Sequence, residues 1–217
     1  MTKQRNIKQI VFDFGGVVVD LNIPLTYEAF AKLHSSNGLA EPDLERFTEI
    51  QHEYEKGSLN DATFRLESLK ALNISNVDDH QFDTAWNAMI GKVPTERVAL
   101  IDKLRNRYRV FLLSNTNEIH YRFFISDFRS DYNGRELDSL FDKAWYSFLL
   151  GMRKPNRDIF DAVAKASNFD PATTLFIDDT PMHVEGARKA GWNAVHLNNP
   201  TTICDLFDSQ LNLRITL

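Results

Sequence analysis

The feature that most constrains this chain is a short apolar run that stops at an acid. Ile10, Val11 and Phe12 form the continuous apolar stretch typical of a parallel strand buried on both faces, and Asp13 follows, with Gly15 and Gly16 close behind. A carboxylate is thereby placed at the carboxyl end of a strand, next to a backbone loosened by glycine. Open α/β sheets bind ligands at that end of their strands, and successive N–H groups in a glycine turn form a concavity for an anion such as phosphate. Taken alone, the same residues would serve equally as a turn with an aspartate cap and glycines at positive φ.

The pattern returns further along. Arg109 to Leu113 is a second buried strand, ending at Ser114, Asn115, Thr116 and Asn117; Lys143 to Phe148 is a third, more aromatic candidate. Thr174 to Ile177 is a fourth, ending at Asp178 and Asp179, and Ala194 to Leu197 a fifth. Between them the spacing predicts helices over Glu96 to Asn106, from Pro155 through Ala166, and over Pro181 to Ala190. Asn117 to Phe141 reads as loop and short helices, with Tyr132, Asn133 and Gly134 as its turn. Strands alternating with helices of this length imply βαβ units, so the fold class is α/β with a doubly wound, mostly parallel sheet.

One stretch breaks the alternation. From Leu21 to Pro94 the texture is helical: Leu44, Phe47, Gln51 and Tyr54 share one face, Ala62, Leu66, Leu69 and Leu72 another, and Phe82, Ala85, Trp86 and Met89 a third. With Tyr27 to His34 this makes about four helices, turning at Asn37-Gly38, at Lys56, Gly57 and Ser58, and between Asn73 and Asp79. Asn60 is the expected N-cap of the third. The expected organisation is a core of residues 1–20 and 95–217 with a four-helix cap, residues 21–94, inserted into it.

A chain of 217 residues has room for one good core and a smaller insert. Its formal charge of −5 leaves no basic footprint for nucleic acid or an anionic membrane, and no run approaches the roughly 20 apolar residues of a membrane span. The N-terminus has no apolar signal segment, so a cytoplasmic protein is expected, and a monomer. Cys204 is the only cysteine and reads as a packing residue, while the six histidines show no pair at zinc-ligand helical spacing.

Three strands thus end in polar residues, Asp13, Ser114 and Asp178-Asp179, and in a parallel sheet those ends lie along one edge. Ser114 taken alone reads as a capping hydroxyl, and Lys154 before Pro155 as a solvated lysine. Asp178 and Asp179 are harder to dismiss, because Thr180 and Pro181 already supply an N-cap and an N1 proline for the next helix. Adjacent carboxylates at a buried strand end repel unless a cation sits between them and Asp13.

Four ordered motifs carry a resemblance: Phe12 to Val17, Leu113-Ser114-Asn115, Met152 to Pro155, and Phe176 to Asp179 followed by Glu185-Gly186-Ala187. Together they resemble the haloacid dehalogenase-like hydrolases, in the helical-cap phosphatase branch, and the Asp-x-Gly-Gly form is similar to a bacterial subgroup that includes sugar-1-phosphate phosphatases. The resemblance implies Asp13 as the nucleophile of an aspartyl-phosphate route, with Ser114 and Lys154 as its catalytic partners. It implies Mg²⁺ held by Asp13, the Gly15 carbonyl and Asp178, with Asp179 nearby. Phe14, Gly15, Ser114, Asn115 and Lys154 would hold the phosphate of a small phosphorylated metabolite. The family's usual general acid, two residues after the nucleophile, is here Gly15. A positioned acid contributes about 10² to 10⁴ in rate, so an acidic leaving oxygen is expected to be favoured, as in a sugar's anomeric phosphate such as glucose 1-phosphate. Asp20 is a hinge residue or a partial replacement, and His183 reads as a helix-face residue. Asn87 and the Lys56 to Ser58 turn are cap candidates for facing the site, as are Tyr54 and Trp86, although these two lie on helical stripes and read first as core packing. The competing readings are a 2-haloacid dehalogenase-type hydrolase and a catalytically weak binding protein on the same fold.

Overall fold

The computed structural model describes residues 6–33 and 41–214, so the turn expected at Asn37-Gly38 lies outside the described residues. Strands β1 (Gln9–Phe12), β2 (Arg109–Ser114), β3 (Lys143–Tyr146), β4 (Thr174–Asp178) and β5 (Asn193–His196) pair in parallel in the order β3-β2-β1-β4-β5. β1 is central, with Phe12 opposite Leu112 on one side and Ile177 on the other. That register carries Asp13 level with Asp178, and the Asp13 N–H donates to the Ile177 carbonyl at 2.9 Å.

Alternation along the strands feeds two cores. Ile10, Phe12, Val110, Leu112, Leu175 and Ile177 face a cluster with Leu104 of helix α5 (Thr95–Leu104) and with Phe124 and Phe128 of α6 (Glu118–Asp131). Val11, Phe111, Leu113 and Phe176 face the opposite cluster, built with α8 (Arg157–Ser167) and α9 (Pro181–Lys189). The uninterrupted apolar character of the strands follows from that two-sided burial. Cys204 packs against the first cluster, as a packing residue should.

The region expected as loop and short helices after Asn117 is instead mostly one helix of 14 residues, α6. Asn117 caps it, accepting from the His120 N–H at 3.0 Å, and His120, Phe124 and Phe128 repeat at four-residue spacing on its buried face. The Tyr132 to Gly134 turn is present, with Asn133 and Gly134 at positive φ. Past β3, Ser147–Leu150 closes as one helical turn, α7, where the expected strand had run on to Phe148.

Between β1 and α5 the described residues form a packet of four helices: α1 (Ile23–Leu33), α2 (Leu44–Glu55), α3 (Asp61–Ala71) and α4 (Asp79–Asn87). They share an aromatic cluster of their own in which Phe30, Phe47, Phe64, Phe82 and Trp86 meet, and Asn60 caps α3 as expected. The chain enters and leaves this packet through paired segments: Leu21 bridges Ile90 antiparallel, and the Gly91 N–H donates to the Asp20 carbonyl at 2.8 Å. The packet also docks on the start of α6. The Ile119 N–H donates to the Tyr54 hydroxyl, Asp61 pairs with Arg122, and the His120 ring stacks on Trp86 at 4.5 Å. No helix among the described residues is long and apolar enough to cross a membrane.

Candidate active site

The strand-end residues meet around one amine. Lys154, in the loop between α7 and α8, is wholly buried, with Nζ 2.7 Å from Asp13 Oδ1 and 2.7 Å from Asp178 Oδ2. Its backbone is held by Asn115, whose side-chain amide donates to the Lys154 carbonyl and accepts from the Lys154 N–H, each at 2.9 Å. On the other side α9 packs tightly against the same loop: a Cβ at Gly186 would overlap the Pro155 carbonyl, which gives the glycine of that helix a physical reason. A lysine that read as solvated in isolation is thus the most buried cation of the site.

Asp179 completes the acid group. Oxygen atoms of Asp13, Asp178 and Asp179 all lie within 4.8 Å of one another. Gly16, at φ +71°, passes so close to Asp179 that a Cβ would overlap its carboxylate, so this position needs glycine twice over. The Thr180 hydroxyl bonds Asp179 at 3.2 Å while its N–H donates to Asp178 at 2.8 Å. Thr180 does not cap α9 with its side chain, as the sequence suggested, because its hydroxyl is turned to Asp179 and so is not aimed at the first free N–H groups of the helix. His183 places Nδ1 3.1 Å from both Asp178 oxygens and is a partner of the acid, not a bystander on the helix face.

Charge at the cluster is unevenly divided. Burial pushes the Asp13 carboxyl up to about 7 against the pull of Lys154, with Asp178 and Asp179 adding to the rise. Burial acts in the same sense on Asp178, but Lys154 and the His183 contact outweigh it and hold that carboxyl down to about 2. Asp179 is raised by burial and by its neighbour Asp178. Burial alone would lower Lys154; Asp13 and Asp178 reverse this and keep the ammonium firmly protonated. Three carboxylates facing one ammonium leave an excess of negative charge on hard oxygen donors, which suits a divalent cation such as Mg²⁺.

Beside the cluster lies a cavity of about 300 Å³ between the sheet edge and the helical packet, reached by Gly15, Ser114 and Asn115 from below and by Gln51, Glu55 and Trp86 from above. Ser114 is buried, and its hydroxyl makes only a long bond, 3.4 Å, to the Asn115 carbonyl. The backbone N–H groups of Phe14, Gly15 and Asn115 donate to no backbone partner among the described residues, so the anion cradle expected there has donors to offer. The Phe14 ring itself packs on Phe124.

Other expected positions lie elsewhere. Tyr54 is buried and gives its hydroxyl to Asp61 at 2.6 Å, Asn87 borders a separate surface groove, and the turn at Gly57 abuts the Phe148 carbonyl. Tyr54 sits on the same stripe as Phe47, one of the packet's core residues, and that burial turns it away from the cavity. Asp20 points to Arg97, 2.8 Å away, and its side chain stays mostly exposed. At Gly15 a Cβ would overlap Leu21 Cδ1, so an apolar side chain fills the space where an acid two residues after Asp13 would begin. Sequence reasoning had placed Gln51 only on a helical face and passed over Glu55 and Tyr27. The available signal was the spacing of Gln51 and Glu55, one turn apart on the polar flank of α2.

Residues 7–191 match the family of haloacid dehalogenase-like hydrolases. The chain belongs to that family. It is 35% identical over 198 residues, 89% of this chain and 93% of the relative, to a D-ribitol-5-phosphate phosphatase of Bacteroides thetaiotaomicron. A haloacid dehalogenase-like enzyme of Bacteroides thetaiotaomicron, solved in complex with magnesium and inorganic phosphate, superposes with a TM-score of 0.82 at 32% identity, over 93% of this chain and all of that one. A haloacid dehalogenase-like hydrolase of Porphyromonas gingivalis gives 0.78 at 33% identity, over 90% and 93% of the two chains. The five-stranded parallel sheet with helices on both faces is the fold expected of such a hydrolase.

Proposed function

We propose that this hydrolase is a Mg²⁺-dependent phosphomonoesterase acting on a small phosphorylated sugar or polyol through an ester on Asp13. The observation that carries the reading is the Lys154 amine set between Asp13 and Asp178, with Asp179 beside them. The similar phosphatase and the similar structure solved with magnesium and phosphate support it.

Asp13 Oδ1 is tied to Lys154, which leaves Oδ2 to attack phosphorus in line with the leaving oxygen. The bond from phosphorus to the leaving oxygen breaks as the bond to Asp13 forms, and water then attacks the same phosphorus, releasing phosphate and restoring the carboxylate. Lys154 and the N–H groups of Phe14, Gly15 and Asn115 balance charge on the transferring oxygens, and the Ser114 hydroxyl holds one of them. Mg²⁺, held by Asp13, the Gly15 carbonyl and Asp178 with Asp179 nearby, would neutralise further charge on the phosphoryl group. Residues 21–94 act as the cap over the core formed by 1–20 and 95–217, and close the cavity against water.

Among the described residues no side chain stands ready to protonate the leaving oxygen: Glu55, the carboxylate that reaches the cavity, is paired with Arg153. Leu21 takes the space at Gly15, Arg97 holds Asp20, and both ring nitrogens of His120 lie at hydrogen-bond distance from Asn117 or the Trp86 carbonyl. The leaving oxygen takes its proton from water, which favours acidic leaving groups such as the anomeric oxygen of glucose 1-phosphate. The ribitol phosphate phosphatase relative points instead to a primary alkyl phosphate, and a polyol or sugar monophosphate covers both.

The deciding experiment measures phosphate release from p-nitrophenyl phosphate and a panel of sugar and polyol monophosphates. Release that needs Mg²⁺, stops with chelator and vanishes in Asp13→Asn is expected. Halide release without metal would favour the dehalogenase alternative, and phosphate binding without turnover the binding protein.

A further inference from the structure

We propose that the α2 wall of the cavity selects neutral, polyhydroxylated monophosphates and excludes substrates with a second anionic group, and that Glu55 decides between them. The inference rests on the phosphatase reading above and narrows its substrate class. α2 turns Gln51 and Glu55 into the cavity shared with Ser114 and Asn115. Arg153, the residue before Lys154, donates from Nε at 2.9 Å and places a terminal nitrogen at 2.8 Å, both to Glu55 Oε2. Neither contact uses Oε1, and no side-chain hydrogen bond among the described residues engages Gln51 or the Tyr27 hydroxyl, both of which also reach the cavity.

This donor and acceptor set has a definite complement. A carboxylate oxygen can only accept, whereas an amide and a phenol do both, and the hydroxyls of a polyol satisfy all three. Among the described residues, Glu55 is also the one Asp, Glu, Lys or Arg that lines the cavity. Arg153 engages only Oε2 and borders a different groove with His52 and Lys56, so Oε1 is the charged atom left to face a substrate in the cavity. A substrate therefore meets the acid and not the base. Its phosphate is matched by Lys154 and free N–H groups, but a second phosphate or a carboxylate at its far end would lose water next to Glu55 with no cation to pair with. The ion pair has a second consequence: it fixes the Glu55 rotamer from the loop that carries Lys154, so the selecting residue and the phosphate-binding amine are placed relative to one another.

The test uses a matched pair: a pentitol 5-phosphate, and the aldonate 5-phosphate of the same length, whose carboxylate lies at the end far from phosphorus. Both lose the same kind of leaving oxygen, so leaving-group chemistry cancels. The wild type is expected to favour the pentitol phosphate in kcat/KM by about tenfold or more. Glu55→Gln should bring the ratio toward one, mainly through KM for the aldonate, and Gln51→Glu should widen it. Each ratio is taken within one protein, so general damage to a variant cancels. Equal turnover of the pair by the wild type, or a ratio that neither variant moves, overturns the proposal. Turnover of p-nitrophenyl phosphate by a wild type that treats the pair alike refutes this inference alone. Absence of turnover with every phosphate tested refutes the phosphatase reading beneath it.

Discussion

Lys154→Met is the most informative single change, because its cost follows from distances. The substitution keeps an unbranched side chain one atom shorter and removes an ammonium 2.7 Å from each of two buried acids. Oxygens of Asp13 and Asp178 lie no more than 4.8 Å apart, and two unit charges at that separation repel by about 3 to 4 kcal/mol at an effective dielectric near 20. Breaking a buried pair typically costs about 3 to 5 kcal/mol, so the two routes agree. At a pH high enough to keep Asp13 ionised, metal-free Lys154→Met is expected to lose about 3 kcal/mol of stability, read as a shifted urea midpoint by tryptophan fluorescence. Lowering the pH should relieve part of the loss, since one carboxyl then takes a proton and the repulsion ends. Saturating Mg²⁺ should also restore much of it, because a divalent cation between the acids supplies the missing charge. Phosphate release should stay at least about 10²-fold below wild type even then, since the transferring oxygens still lack their ammonium. An equal stability loss with and without Mg²⁺, or no loss, would refute the account of Lys154 as the counter-charge of this cluster.

Three further outcomes are expected. Gly16→Ala forces a Cβ against the Asp179 carboxylate at positive φ, and Mg²⁺ affinity by calorimetry should fall about 10- to 100-fold; unchanged affinity would remove Asp179 from the metal's surroundings. Burial holds the His120 imidazole down to about 4 against an unfolded value near 6.5, so the unfolded chain takes a proton first as pH falls. Stability is complete above 6.5 and declines by about 3 kcal/mol on the way to pH 4, a slope that His120→Gln should lose; parallel pH curves for the two proteins would contradict it. Finally, Gly15→Asp combined with Leu21→Ala places an acid where Leu21 now packs, and should raise turnover of a primary alkyl phosphate relative to an aryl phosphate by about tenfold or more, while an unchanged ratio would show that the leaving oxygen does not need it.

The strand-end acids were legible because their cause is local. Ile10 to Phe12 and Leu175 to Ile177 are apolar on every position, which only a strand covered on both faces tolerates, and a carboxylate that ends such a run must lie at the sheet's edge. The α6 helix was harder to see: its buried face, His120, Phe124 and Phe128, opens on a histidine, and aromatic residues outside that face, such as the exposed Phe123, blur its period. Tyr54 and Gln51 show the same limit. They lie three residues apart on α2, yet one is buried against Phe64 and Asp61 and the other opens to the cavity.

The order of strands, the helical texture of the insert and the acids at the strand ends were thus written in the linear chain, since hydrophobic period and turn residues act between near neighbours. What the tertiary structure alone decided is which groups share a charge or a space. Lys154 belongs to Asp13 and Asp178, Glu55 to Arg153, His183 to Asp178, and Leu21 to the gap left by Gly15. Asp13 and Lys154 are 141 positions apart, and Glu55 and Arg153 are 98. Electrostatic and steric energies depend on distance through space, and pattern along the chain carries no measure of it until the sheet register and the seating of the helical packet have set where each side chain lies.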